Sequence, residues 1–569
     1  MQVPTLKQGN VSRENVTSFG GYHAGARIAE GEFAAMKNCT GDQFPLIATR
    51  RKRGMYASPA RCNGLLAKDS LCWVDGSKFV MNGYETELHL TDGPKQLVSM
   101  GAYVIIFPDK KYINTADLSD SGNLEAEFTS AGTVKFTPVD GDGKPLIPAY
   151  TQPEEPEKPE NGALWLDTSG AGALLQWSAG TGMWVSVDNT LVRISCPNMG
   201  VSFRPGDGVQ LTGVPAGVMT AGVIADCGRD YVTVPGLLER EASLDTSVTV
   251  GRYLPLMDMV LECGNRLWGC RYGLNRAGAV VNEIYASKLG DFRNWNCFQG
   301  VSTDSYCVSL GNDGPFTGAV QHLGYPVFFR EDCIHRLYGS TPATFRLQTT
   351  PCPGVQQGCN QSLARVGQML YYKSPNGVCA YDGAVPVTVS QKLGAMPCTR
   401  AAAGALGDKY YICFQEEETT GQLWVYDTAR GLWHREDDTR VRCFCTCRDD
   451  LFFVNGAGQI ISVMGRGQPE EEISWMLETG VLGTLTPDSK TLTRLNLRLE
   501  LEQQAKVWVQ YDGDDFWTPV ATVYGSAGQC FNLPVAVRRC DRLRLRLAGT
   551  GFMRLSCITK TMERGSEVL

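Results

Sequence analysis

Apolar runs broken by a tight polar turn recur seven times along this chain, each followed by a second, aromatic-rich apolar run that ends at a small turn. The copies span residues 63–83, 94–115, 257–291, 317–340, 361–384, 400–433 and 441–465. Each sets β-branched and aromatic residues in its runs and Gly, Asn or Asp at its corners, which predicts an antiparallel hairpin. A hairpin cannot bury its own apolar face, and radial stacking of repeats of this length does so. The pattern therefore predicts an all-β fold, a β-propeller of about seven blades built from 63–115 and 257–465. A strand from the 32–47 region is expected to complete a terminal blade and close the ring.

The passage between the second and third repeats has a different texture. Residues 126–161 read as a polar segment, with a VDGDGKPL turn at 139–146, leading into the acidic proline linker TQPEEPEKPEN at 151–161. Such a linker is expected to be extended. Residues 162–189 spell a mini-sheet of very short strands carrying Trp165, Trp177 and Trp184, readable as a tiny core or as an exposed sugar platform. Residues 190–252 read as a small β-barrel. Both modules look like insertions, so excising 151–238 is expected to leave the propeller folded. These boundaries leave 1–125 as the N-terminal arm with the first blades and 253–466 as the remaining blades. In 467–569 the runs 492–501, 505–511, 529–533 and 542–547 alternate apolar with polar, the pattern of a β-sandwich. On its wet face Arg494, Arg498, Arg542, Arg544 and Arg546 are expected to meet Glu500 and Glu502, as a solvated or partner-binding ladder.

Composition adjusts this picture in a few places. The chain has 569 residues, among them 63 Gly and 28 Pro, too many turn formers for a helical protein. No apolar stretch approaches the roughly 18 residues of a membrane helix, and the first residues lack a signal-peptide core. The expectation is a soluble protein folding in a cytoplasm, without membrane insertion. The 21 Cys include no C-x-x-C pair. Cys443, Cys445 and Cys447, spaced by two on one strand face, read as small buried hydrophobes rather than metal ligands. His23, His89, His322, His335 and His434 are scattered singly, and a net charge of −7 argues against a general nucleic-acid binder.

Catalytic signatures are scarce. The chain carries no phosphate-binding Gly-rich loop, H-E-x-x-H or G-x-S-x-G pattern. The stretch 309–316 comes nearest to a sialidase Asp-box, with its acid and glycine out of register. Acidic turns at 140–143 and 512–515 could offer carboxylates to calcium, yet neither completes an EF-hand loop. No catalytic residue, cofactor or metal is expected, and the chain is read as a non-enzyme. The competing reading is a propeller glycosidase with carboxylates converging from Asp258, Glu262, Glu283 and Glu331.

Several segments in sequence order carry a family resemblance. Residues 32–54 (EFAAMKNCTGDQFPLIATRRKRG) form an acidic-to-basic opening that ends in an Arg/Lys-Gly turn before the first hairpin. The stretches 284–298 (IYASKLGDFRNWNCF), 329–339 (FREDCIHRLYG) and 359–383 (CNQSLARVGQMLYYKSPNGVCAYDG) follow as blade segments. In this order they resemble tailed-bacteriophage virion propellers of the head-to-tail stabilisation and tail-nozzle type. The insert 162–187 is similar to short modules of phage tail and fibre proteins. The resemblance implies a structural tail subunit, assembled in the bacterial host cytoplasm and resident in the virion. It implies a closed, commonly hexameric ring around the passage of double-stranded DNA, docked to other tail or neck proteins. A tail-tip receptor-binding or polysaccharide-degrading propeller is the alternative, with Trp165, Trp177 and Trp184 as a ligand platform. The basic run Arg50, Arg51, Lys52 and Arg53 reads as a solvated turn or protein contact, or as a contact with passing DNA.

Overall fold

The computed structural model describes residues 11–564 apart from 171, 188–189, 312–313, 418, 484–489 and 537. Asn312 and Asp313 of the Asp-box-like stretch thus lie outside the described residues. Regular structure is almost wholly strand, with short 3-10 turns at Asn360–Ser362 and Gln391–Leu393. Among the described residues, four-stranded antiparallel sheets occupy 62–89, 96–123, 259–309, 318–351, 364–388 and 400–435, and a seventh begins at Val441–Cys447. The protein is a β-propeller with inserted β modules and a C-terminal β-sandwich.

The chain divides into two compact units. One comprises residues 1–94, 329–334 and 350–569, the other 95–328 and 335–349. In the first, the blades interlock through side chains that alternate off each strand. Cys62, Leu71 and Trp73 pack with Cys447, Phe452 and Ile460 between the blades at 62–89 and 441–462. Cys443 and Cys445 join the same core, so the three thiols fill one strand face as small hydrophobes.

The strand that completes the seventh blade is Gly54–Ala57. It pairs with Ile460–Ser462 on one side and with Gln468–Pro469 on the other. This corrects the expectation for 32–47, whose strands go elsewhere. Phe33–Lys37 pairs with Ser474–Thr479, and Ile47–Thr49 pairs with Met553–Arg564. Val11–Val16 also joins Met553–Arg564. Phe33, Met36, Cys39 and Ile47 are thereby buried in the C-terminal core beside Trp475, Leu497 and Leu555. Gly467 (φ 93°) makes the crossing possible, because a Cβ there would sit 2.2 Å from the Met55 carbonyl oxygen.

The sandwich is organised by one 22-residue strand, Lys490–Tyr511. Its first half pairs with Met553–Arg564 and its second with Leu543–Thr550. A register shift between Leu492 and Arg494 moves the buried positions from even to odd, so Leu492 and then Leu495, Leu497 and Leu499 all face the core. The expected charge ladder is rearranged. Arg544 and Arg546 pair with Glu478 on Ser474–Thr479, and Glu500 pairs with Arg554. Glu502 instead accepts the Phe552 backbone N–H at 2.9 Å.

In the second unit the inserted barrel begins earlier than the sequence indicates. Ala126–Thr129 pairs with Thr249–Arg252, and Val134–Val139 pairs with Leu191–Ser195. Val134 and Phe136 are fully buried with Val192, Ile194 and Val232. The segment 126–139 is thus barrel wall rather than polar linker. Its charged positions hid the alternation of Val134, Phe136 and Pro138 on a half-wet strand. Thr151 and Gln152, at the head of the proline linker, add a parallel edge strand Tyr150–Gln152 to the mini-sheet. The mini-sheet is therefore the long loop of a hairpin whose arms are Val134–Val139 and Leu191–Ser195, and the physical excision unit is not 151–238.

Excising 151–238 would remove Leu191–Ser195 and Tyr231–Pro235 from the barrel and expose its core. Replacing 148–188 with a short Gly-Ser turn is instead expected to leave barrel and propeller folded, with an unchanged urea midpoint. Loss of cooperative unfolding in that variant would refute this boundary.

Candidate functional site

A cavity of about 610 Å³ in the first unit lies where the N-terminal arm meets the sixth and seventh blades. The hairpin of Cys39–Thr40 and Ile47–Thr49 brings Asp42 and the basic run to it. Strands Lys409–Gln415, Gln422–Asp427 and Leu432–Arg435 of the sixth blade supply Lys409, Asp427 and His434.

The four basic residues of 50–53, which link the strands Ile47–Thr49 and Gly54–Ala57, divide into an inner and an outer pair. Arg50 and Arg53 are buried, whereas Arg51 and Lys52 are exposed. Arg50 donates from Nε to Asn38 Oδ1 at 2.7 Å and from Nη1 to Glu470 Oε1 at 2.5 Å. Arg53 binds Glu436, and its Nη1 donates to Asp437 Oδ2 at 2.9 Å while the guanidinium lies 5.4 Å from the Phe453 ring centroid. Burial opposes the charge on Arg53, but Glu436, Asp437 and Glu470 outweigh it and raise its pKa further. Burial likewise pushes Asp437 up, and Arg53 and Arg50 more than reverse this and hold it below the ordinary carboxylate range. Two of the four residues are therefore committed within the chain. Only Arg51 and Lys52 remain available to a partner.

His434 sits at the base of this cavity, 2% exposed, with Nε2 buried and unpartnered. Gly41 approaches so closely that a Cβ would lie 2.8 Å from that nitrogen. Burial, reinforced by Lys409, lowers the imidazole pKa to about 4 against the pull of Asp427 and Asp42. Asp42 binds Lys409 and is held below its usual range despite its burial. Sequence reading missed His434, because its setting depends on a glycine almost 400 residues away.

The three tryptophans converge on one another. Trp184 stands edge-on to Trp165 at 5.2 Å and to Trp177 at 5.4 Å, with Trp177 and Trp184 directly opposite across paired strands. Trp165 is 7% exposed and donates from Nε1 to the Gln152 carbonyl at 2.9 Å. The cluster forms the mini-sheet's own core, and Trp177 and Trp184 remain half-buried beside exposed Met183 and Val185.

The carboxylates of the glycosidase alternative are each engaged by a turn or a strand neighbour. Asp258 binds Arg271 and accepts the Tyr272 N–H at 2.9 Å, and Glu262 accepts Asn265 N–H at 3.0 Å. Glu283 accepts from Tyr285 Oη at 2.5 Å, and Glu331 accepts Gln357 N–H at 2.8 Å. The acidic turns behave in the same way. Asp140 Oδ1 accepts backbone N–H groups of Asp142 and Lys144, and Asp512 Oδ1 those of Asp541 and Arg542. Among the described residues no group of three or more His, Cys, Asp or Glu is placed to hold a metal ion.

No protein-family model matches the chain, and no curated protein matches it. Solved structures of similar fold include an exo-β-1,3-galactanase from Phanerochaete chrysosporium, 9% identical, TM-score 0.22, with 53% of this chain and 94% of that chain covered. AztD from Citrobacter koseri is 10% identical, TM-score 0.27, with 74% and 96% covered. A family 43 arabinoxylan arabinofuranohydrolase from Bacillus subtilis is 9% identical, TM-score 0.19, with 55% and 96% covered. Likeness at this level carries no inference about activity.

Proposed function

We propose that this chain is a non-catalytic structural subunit of a tailed-bacteriophage virion, a nozzle- or neck-type propeller that docks other tail proteins along the path of the genome. The observation that carries the reading is the course of the N-terminal arm. It gives strands to the sandwich, closes the seventh blade through Gly54–Ala57, and is pinned between them by Arg50 and Arg53. Tying both ends of a chain into two modules suits a part that must hold shape under the force of genome ejection. The resemblance of 32–54 and the later blade segments to virion propellers points the same way. In this reading the subunit forms a closed ring by heterologous interfaces. Arg51 and Lys52 face either a neighbouring subunit or the passing double-stranded DNA.

Electron microscopy of particles carrying a tagged copy of this chain tests the reading. A ring of density on the tail axis is expected. Peripheral projections, together with hydrolysis of host polysaccharide that one carboxylate substitution abolishes, would replace it with the glycosidase alternative. A second reading, a peripheral receptor-binding module, is favoured by the half-buried Trp177 and Trp184 next to exposed Met183 and Val185. Glycan binding that is lost in Trp177→Ala, with the fold intact, would decide for it.

A further inference from the structure

We propose that Cys359 and Cys398 form an oxidisable pair, which a low-molecular-weight disulfide converts into a covalent staple between the fifth and sixth blades. Cys359 lies just ahead of the first strand of the fifth blade, Ala364–Val366, and Cys398 just ahead of the first strand of the sixth, Arg400–Leu406. The two lead-in segments lie against each other. Gln356 donates from Nε2 to the Cys398 carbonyl at 2.7 Å, and a Cβ on Gly358 would lie 2.5 Å from the Thr399 carbonyl oxygen. Each of the two side chains is the largest influence on the other's titration, which places them side by side. Adjoining segments that set two buried cysteines beside each other meet the first requirement of a disulfide, closely spaced Cα atoms.

The surroundings favour exchange chemistry. Lys373 is 3% exposed, and its Nζ is fixed by Gln356 Oε1 at 2.6 Å and by the Ser374 carbonyl at 2.7 Å. Its charge favours the thiolate form of both cysteines. The interaction with Cys359 holds the Cys398 thiol below its ordinary value and raises that of Cys359 in turn, whereas burial pushes Cys62 and Cys413 up to about 11. Both sulfurs are buried, but their neighbours Gly358, Asn360, Pro397 and Thr399 are exposed, so a small loop opening reaches them. The step balances with the named oxidant. The Cys398 thiolate attacks one sulfur of the small disulfide, forming a mixed disulfide and releasing one thiolate. Cys359, giving up its proton, then attacks the Cys398 sulfur and expels the second. Two protein thiols are oxidised, and one small disulfide is reduced to two thiols.

The test uses the full-length wild-type protein, incubated folded with oxidised glutathione and, in parallel, with dithiothreitol. Peptide mapping without reduction is expected to show one dominant cross-link joining the peptides of Cys359 and Cys398. The oxidised protein should be lighter by two hydrogens and should unfold at a higher temperature, reversibly on reduction. Cys398→Ser should lose both the cross-link and the thermal shift. Thiols that oxidise only after denaturation, or a cross-link mapping to exposed Cys307 or Cys530, would overturn the proposal. The wild-type map decides the matter even where the serine variant fails to fold.

Discussion

Arg53→Ala is expected to destabilise the first unit by about 3–5 kcal/mol, the cost of leaving buried charges without their partner. Glu436 and Asp437 are 6% exposed and largely buried respectively, and both face the Arg53 guanidinium. Arg50 offers incomplete relief, because its strong contact is already with Glu470. The substitution also removes the cation above Phe453. Urea unfolding monitored by tryptophan fluorescence reads the loss as a lower midpoint with an unchanged slope. The double variant Arg53→Met with Glu436→Gln should recover much of it, since both members of the buried pair are then neutral. A loss below about 1 kcal/mol, typical of exposed pairs, would show that water reaches the cluster.

The same residues show what a linear reading could and could not extract. All seven predicted hairpins lie within blade sheets, because alternation and turn chemistry are local and survive any tertiary context. The corrections fall where a strand's partner is remote. Phe33 and Met36 announce a buried face, yet nothing local says whether they belong to the seventh blade or to Leu477, some 440 residues on. Gly54, at the end of the RRKRG run, marks the start of the closing strand. Its neighbour Arg53 looks like surface charge until Glu436 and Asp437 arrive from a distant blade. Val134 and Phe136 were masked for a related reason. Their strand is wet on one side, and its pairing partner follows a 50-residue excursion through the mini-sheet. The tryptophan cluster was legible as a unit because its strands are adjacent in sequence, and only its degree of burial needed coordinates.

Stability is expected to fall by about 2 kcal/mol between pH 7 and pH 5 through His434. The folded state keeps the imidazole neutral, with its pKa lowered to about 4 chiefly by burial and next by Lys409. In the unfolded chain the group takes a proton below about 6.5. Throughout the window from about 6.5 down to 4 the unfolded state binds more protons, so stability decreases as pH falls, by about 1.4 kcal/mol per pH unit. The carboxylates at the same junction act in a lower window. Asp42 and Asp437 are held below their ordinary values, so their contribution is complete above the unfolded pKa and disappears only under more acidic conditions. Urea midpoints at pH 7, 6 and 5 therefore separate histidine from carboxylate titration, and the His434→Gln variant assigns the share of His434 beside the buried His322 and His335. His434→Gln should flatten the dependence over that range whatever it does to stability at pH 7. An equal slope in wild type and variant would mean that the imidazole protonates freely in the fold, through Lys409 and Arg430 moving away from it or water entering beside Gly41.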